Sequence, residues 1–175
     1  DDYMPEINVE GYYHIASLGM NTVRFLVIWA GLEPHEGYYN MEYIERIANH
    51  VEMARSAGLY VFLDMHQDIY GEGFKGPSDG APEWACDPIY YEMDADVDNW
   101  FMYYFELYFK ACFDYFWNNE NEVQDHFIRG LELLAERFKD NEAVIGFDLF
   151  NEPSCGTSGS EECDEKLSSF YQRCA

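Results

Sequence analysis

An apolar run, Ala143-Val-Ile-Gly-Phe-Asp-Leu-Phe150, stops at an Asn151-Glu152 pair locked by Pro153. The pattern predicts a carboxylate at the carboxyl end of a buried strand, the place where α/β barrels gather side chains that do chemistry. A carboxyl group there can act as general acid or base, and a neighbouring asparagine can donate its amide to a substrate hydroxyl. A second polar pair, His66 and Asp68, follows the apolar run Leu59 to Met65, and a lone cation, Arg24, interrupts a third run from Thr22 to Trp29. A guanidinium among apolar neighbours demands a carboxylate partner. Taken singly, each residue also has a plainer explanation: a polar turn for Asn151-Glu152, a structural ion pair for Arg24, a satisfied core histidine for His66. Trp84, in a Gly/Pro-rich loop, is either a lid or a platform for the C–H face of a sugar.

Glycosidic bond cleavage suits such groups. It uses two carboxyl groups flanking the anomeric carbon, one to protonate the leaving oxygen and one as nucleophile or base. Glu152 fits the acid/base role, which requires a pKa raised by a second carboxylate in a partly desolvated pocket. Asn151 fits a sugar 2-hydroxyl contact that strengthens in the transition state.

The elements that must position these groups alternate helix and strand. The three apolar runs are nearly continuous, as in parallel strands covered on both faces. Between the first two, Asn40 opens a segment carrying Ile44, Ile47, Val51 and Ala54 at helical spacing, and Gly58 closes it, giving a β-α-β unit. Ile7 to Leu18 predicts a helix ended by Gly19. His66 to about Ala95 predicts a long functional loop, and Asp96 to Trp117 and Glu122 to Phe138 predict two amphipathic helices. The pattern allows a doubly wound sheet or a barrel. No Gly-x-Gly-x-x-Gly or Walker-type loop follows a strand, and polar groups recur at strand ends, so a (β/α)8 TIM barrel is the better fit. At 175 residues the chain is short of the roughly 250 of a closed barrel, and only about the first half of one is expected. One domain over residues 1–175, a partial catalytic domain, is the simplest division.

Composition narrows the partners. With 34 acidic against 10 basic residues the formal charge is -24, which repels nucleic acid and anionic bilayers. No apolar run reaches the ~20 residues of a membrane span, so stable membrane insertion is not expected. Asp1-Asp2-Tyr3 does not read as a signal segment. The five cysteines lack a C-x-x-C pair, and no metal site is expected. Cys155 and Cys163 flank a loop that a disulfide can close, which suits an extracellular, secreted or lumenal protein. Aromatics are 18% of the chain; those at helical spacing from Trp100 to Trp117 read mostly as core, while their abundance also suits a groove for lipid tails, an idea that replacing Phe116 or Trp117 would test.

At this point the sequence resembles the family 5 glycoside hydrolases. The resemblance rests on Asn151-Glu152-Pro153, on Arg24 in Thr-Val-Arg-Phe and on His66 after the next strand, and runs from Leu18 to Pro153. Within the family, Trp29-Ala-Gly-Leu-Glu-Pro-His-Glu-Gly-Tyr-Tyr39, Leu63-Asp-Met-His-Gln-Asp68, Gly80-Ala-Pro-Glu-Trp-Ala85 and Gly146-Phe-Asp-Leu-Phe-Asn-Glu-Pro153 look like the endoglycoceramidase branch. The resemblance implies strands 2 to 4 of the family's barrel and a retaining glycosidase that cuts the β-glycosidic bond between oligosaccharide and ceramide, without metal or organic cofactor. It implies Glu152 as proton donor and Asn151 as the 2-hydroxyl contact. Arg24 would orient the nucleophile, and His66, Asp68 and Trp84 would hold the reducing-end glucose. A sugar-binding lysine before Asp1 and the nucleophilic glutamate after Ala175 are implied too, so these residues alone are expected to be inactive.

Two other readings compete. One is a family 5 β-glucanase or β-glucosidase; the other is a non-catalytic carbohydrate- or lipid-binding fragment, which would bind without turnover. A purely structural acidic interaction domain would make the grouping of Arg24, His66, Asp68, Asn151 and Glu152 a coincidence.

Overall fold

The computed structural model describes residues 3–94 and 99–175. Its first helix, α1 (Val9–Ser17), starts where the Asn8 side chain accepts the Gly11 amide and stops before Gly19, whose φ of 86° an L side chain resists. Strand β1 (Thr22–Ile28) follows and turns at once into a one-turn helix, α2 (Trp29–Leu32). Helix α3 (Met41–Ser56) is capped by Asn40, whose Oδ1 accepts Tyr43 N at 3.1 Å, and buries Ile44, Ile47, Val51 and Ala54. It delivers the chain to β2 (Tyr60–His66), completing the expected β-α-β unit. Beyond lie α4 (Pro88–Glu92), α5 (Leu107–Trp117), α6 (Val123–Phe138), β3 (Val144–Asp148) and α7 (Ser160–Cys174).

The strands form one parallel sheet in the order β1-β2-β3. Register sets Leu26 against Asp64 and Ile28 against His66 across β1 and β2, and Asp64 against Asp148 across β2 and β3. Phe25, Val27, Val61, Leu63 and Met65 are buried. Strand alternation puts them on the helix-covered face and puts Arg24, Leu26, Phe62, Asp64 and His66 on the other. The sheet does not close on itself, and on that second face Arg24 keeps 43% and Leu26 41% exposure. Among the described residues no helix is long and apolar enough to cross a membrane.

Several expectations need correcting. The segment Asp96 to Trp117 is not one helix. Its start lies outside the described residues, and Trp100–Phe105 is a 3-10 helix separated from α5 by Glu106 in extended conformation. The break lets Tyr103 turn inward, its hydroxyl donating to Asp94 at 3.1 Å, while Phe101, Met102 and Phe105 face out. The loop after His66 is partly regular, with bridges Asp68↔Asp79 and Gly71↔Ala81. Residues 160–162, read as loop, begin α7.

Phe116 and Trp117, the positions at which a lipid-tail role would be tested, both lie in the core. Phe116 is 0% exposed and packs edge-on or tilted against Trp29, Phe127, Phe150 and Phe170, so its ring is spent on the core between sheet and helices. Trp117 joins the same cluster through Phe150 and Phe170 and donates Nε1 to the Ser154 carbonyl at 2.7 Å.

Cys155 and Cys163 are bonded, as their loop allows. A second disulfide, Cys86–Cys112, ties the loop after β2 to α5 and was not foreseen, because 26 residues separate the pair. Cys174 is free.

Candidate active site

The polar face of the sheet and the carboxyl ends of β2 and β3 bring Arg24, His66, Asp68 and Asn151 together. Arg24 is the hub. Its Nη2 lies 3.1 Å from Asp64 Oδ2, 3.0 Å from Asp148 Oδ2 and 2.8 Å from Asn151 Oδ1. The carboxylate that an apolar-strand arginine demands is thus supplied twice, by Asp64 of the adjacent β2 and by Asp148 of β3 beyond it.

Asn151 is held on every side. Its backbone amide donates to the Met65 carbonyl at 2.9 Å and its Nδ2 donates to the Gln67 carbonyl at 3.1 Å. In return Gln67 Nε2 donates to the carbonyls of Asn151 and Glu152 at 3.0 and 3.2 Å. Gln67 is itself buried and fixed through its Oε1, which accepts Tyr70 N at 2.7 Å. This lattice docks the turn after β3 onto the turn after β2. It also holds Glu152 at φ 42°, a left-handed conformation uncommon outside glycine, asparagine and aspartate, with the residue exposed. Such backbone strain persists only where the surroundings enforce it.

His66 sits between two aspartates, Nδ1 2.8 Å from Asp64 Oδ2 and Nε2 3.5 Å from Asp68 Oδ2. The Asp64 hydrogen bond raises its pKa above the usual histidine value; burial opposes the shift, and the charges of Asp64, Asp79 and Asp68 add to it. Asp79 accepts the Asp68 amide at 3.0 Å. Burial raises its carboxyl pKa, the negative charge of Asp68 adds to this, and His66 works against it. His66, Asp68 and Asp79 each offer one ligand atom within 4.8 Å of the others, the only such group of three among the described residues. Three ligands can hold a metal ion, and the same mix of ring nitrogen and carboxylate oxygens can hold sugar hydroxyls. A cavity of about 320 Å3 over β1 connects Arg24 and Asp79, with Tyr3, Leu26 and Ile28 in its walls.

Trp84 stands apart. Its Nε1 donates to the Glu33 carbonyl at 3.1 Å, and its ring meets Trp29 and His126 edge-on at 5.3 and 5.2 Å. Its neighbour Trp29 lines with His66 a cavity of about 10 Å3, room for one water at most. Glu33 anchors this corner. Fully buried, it accepts Trp29 Nε1 at 3.0 Å, Gly37 N at 2.8 Å and His126 Nδ1 at 2.7 Å.

Sequence reasoning did not single out Asp64, Gln67, Asp79, Asp148 or Tyr104. Alternation offered a signal for Asp64, which shares a strand face with His66 two residues on. Tyr104, read as core, is partly buried where the charges of Asp68 and Glu152 reach it; burial first, then those charges, raise the pKa of its phenol. No local pattern marks it.

The arrangement has the parts of a polyhydroxylated-ligand site: a buried amide beside an exposed carboxylate, a cation set among aspartates, and a histidine with one nitrogen toward the rim. The family profile "Cellulase (glycosyl hydrolase family 5)" matches residues 3–175. The endoglycoceramidase of Cyanea nozakii is 32% identical over 163 residues, covering 81% of this chain and 32% of the relative. Endoglycoceramidase I of Rhodococcus hoagii is 30% identical over 162 residues, covering 89% of this chain and 32% of the relative. The chain therefore spans about a third of the length of these curated relatives. The structure of endo-glycoceramidase II from Rhodococcus sp. with ganglioside GM3 superposes with a TM-score of 0.86 at 32% identity, over 98% of this chain and 41% of that one. The three-stranded sheet corresponds to part of a (β/α)8 barrel.

Proposed function

The chain belongs to glycosyl hydrolase family 5, and from that membership we propose that the whole protein is a retaining glycosidase acting on glycosphingolipids, splitting the β-glycosidic bond between oligosaccharide and ceramide. The observation that carries the reading is the strand-end lattice of Arg24, Asn151 and Gln67, which holds the Glu152 backbone beside a group of hydroxyl-binding side chains. The substrate class draws its support from the similarity to proteins named endoglycoceramidase, one of them solved with a ganglioside.

In this reading Glu152 protonates the departing ceramide oxygen and later takes a proton from water. Asn151, its carbonyl oxygen satisfied by Arg24 and its amide by Gln67 O, presents the remaining N–H to the sugar 2-hydroxyl. Arg24 supplies positive charge that orients a nucleophilic carboxylate. His66 and Asp68 grip hydroxyls of the glucose next to the cleaved bond, and Trp84, set apart beside Trp29, is left as an outer surface on which a sugar can stack. The chemistry calls on no metal or organic cofactor. Two disulfides fit folding in an oxidising compartment, so we place the protein outside the cell or in a lumen.

The test is release of intact oligosaccharide from a ganglioside by the whole protein, compared with release from glucosylceramide and cello-oligosaccharides. Turnover of the ganglioside, lost in Glu152→Gln with ganglioside binding kept, is the expected result. Preference for cello-oligosaccharides would move the protein to the glucanases, and binding without turnover of any glycoside would make it a carbohydrate-binding protein.

A further inference from the structure

Asp64 is fully buried in the middle of the sheet, yet the chemistry above assigns it no contact with sugar. Its position follows from strand geometry. Two residues before His66, it shares that residue's face of β2, and the register places it between Leu26 of β1 and Asp148 of β3. One oxygen, Oδ2, serves two partners, Arg24 Nη2 at 3.1 Å and His66 Nδ1 at 2.8 Å. The other, Oδ1, is buried and has no hydrogen-bond partner among the described residues. A buried carboxylate of this kind is a poor stabilising device, since an apolar side chain of similar size would often do as well. What it does provide is direction for the two groups it touches.

From this geometry we infer that Asp64 is a positioning residue for substrate binding. It holds His66 by the Nδ1–H so that Nε2 is offered to substrate beside Asp68, and it keeps Arg24 within reach of Asn151. The inference rests on the glycosidase reading for the identity of the substrate, and on coordinates alone for the arrangement. Oδ2 accepts from a guanidinium, so the imidazole nitrogen sharing it must be a donor. Nδ1 therefore carries the proton. In the neutral ring Nε2 is then an acceptor for a sugar hydroxyl, and in the imidazolium it is a donor. The charged groups acting on the ring are Asp64 on its own strand and Asp68 and Asp79 on the loop that follows; Arg24 on β1 shares Asp64 Oδ2 with it, and Asp148 on β3 pairs with Arg24. The carboxylates outnumber the one cation, and the close contact with Asp64 favours the imidazolium, so the raised histidine pKa is the electrostatic expression of the same arrangement.

Asp64→Asn in the whole protein tests this. An amide oxygen can still accept from Arg24 and His66 but carries no charge, so both hydrogen bonds lose their anionic acceptor and the ring is held less firmly while the volume is kept. KM for a ganglioside should rise at least about tenfold, the loss of a charge-assisted hydrogen bond, with a smaller change in kcat. The pH midpoint that His66→Gln abolishes should move to lower pH. A folded Asp64→Asn protein with unchanged KM and unchanged midpoint would overturn the inference.

Nitrogen chemical shifts of His66 in the unmutated protein, assigned with His66→Gln, supply a reading that survives a failure of Asp64→Asn to fold. A ring protonated at Nδ1 and titrating above the ordinary histidine value is expected. A neutral ring carrying its proton on Nε2 would overturn the arrangement. Absence of turnover on every glycoside, with the shifts as expected, would count against the glycosidase reading and leave the Asp64–His66 arrangement standing.

Discussion

Arg24 and Asn151, 127 residues apart in the chain, meet at 2.8 Å, guanidinium Nη2 to side-chain Oδ1. The contact closes the sheet's polar face from first strand to last, spanning β2. It also settles the orientation of the asparagine amide: with Oδ1 taken by Arg24 and one N–H taken by the Gln67 carbonyl, the other N–H is the group left for a ligand.

Arg24→Ala should destabilise the protein by about 3 kcal/mol, the lower end of the range for stripping a buried carboxylate of its counter-charge, because Arg24 itself is partly exposed. Urea unfolding measures it. Arg24→Lys should recover part of the loss, since one ammonium keeps the charge. A change below about 0.5 kcal/mol in Arg24→Ala would mean that Asp64 does not rely on this partner.

Phe116→Ala should cost about 3–5 kcal/mol, the usual range for emptying a buried aromatic site. Its ring is central to the cluster of Trp29, Phe127, Phe150 and Phe170. In the whole protein, Phe116→Leu should lower the melting temperature without a selective loss on lipid-linked over lipid-free glycosides. A loss confined to the lipid-linked substrates would give this aromatic segment a role in handling the lipid that the packing of Phe116 does not account for.

The two disulfides should differ in weight. Cys86–Cys112 closes 26 residues and Cys155–Cys163 only 8, so loop entropy makes the first the more stabilising by about 1 kcal/mol. Comparing Cys86→Ala/Cys112→Ala with Cys155→Ala/Cys163→Ala in thermal unfolding checks the order. Equal losses would show that strain or packing, and not chain entropy, dominates.

Asp79 predicts a pH dependence of stability with a definite sign. Its folded pKa is raised by burial, so the unfolded chain ionises first. Stability linked to this group is fully present below the unfolded value and is lost as pH rises through the folded one. Asp79→Asn should flatten the fall in unfolding midpoint on the alkaline side of about pH 4, the ordinary aspartate range. A steeper fall in the variant would reverse the assigned cause.

Much of the fold was legible because local signals agreed with one another. The Asn40 cap, the apolar stripe of Ile44, Ile47, Val51 and Ala54, and the Gly58 stop all specify the same helix, and its bounds match. Disagreement arose where aromatic density concealed a break: residues 100–105 carry a helix-like pattern, but Tyr103 finds its partner in Asp94, and the chain bends at Glu106 to let it. The Cys86–Cys112 bond was equally invisible, since nothing near either cysteine announces a partner on another element.

The sequence by itself determined which residue types stand at the strand ends, because an apolar run that stops at a polar group is a local pattern: Glu152, Asn151, His66 and Asp68 were readable from it, and the cation Arg24 from its interruption of another run. Only the tertiary structure decided how they are held. Asp64 and Asp148 owe their roles to parallel register, which sets residues far apart in the chain side by side, and Gln67 owes its role to the docking of the turn after β2 on the turn after β3. Trp84 owes its place to the buried Glu33 carboxylate, which gathers Trp29, Gly37 and His126 while its own backbone carbonyl takes the Trp84 indole. The physical reason is range: caps, stripes and strand ends act over a few residues, whereas a buried carboxylate must find its donors wherever the fold brings them.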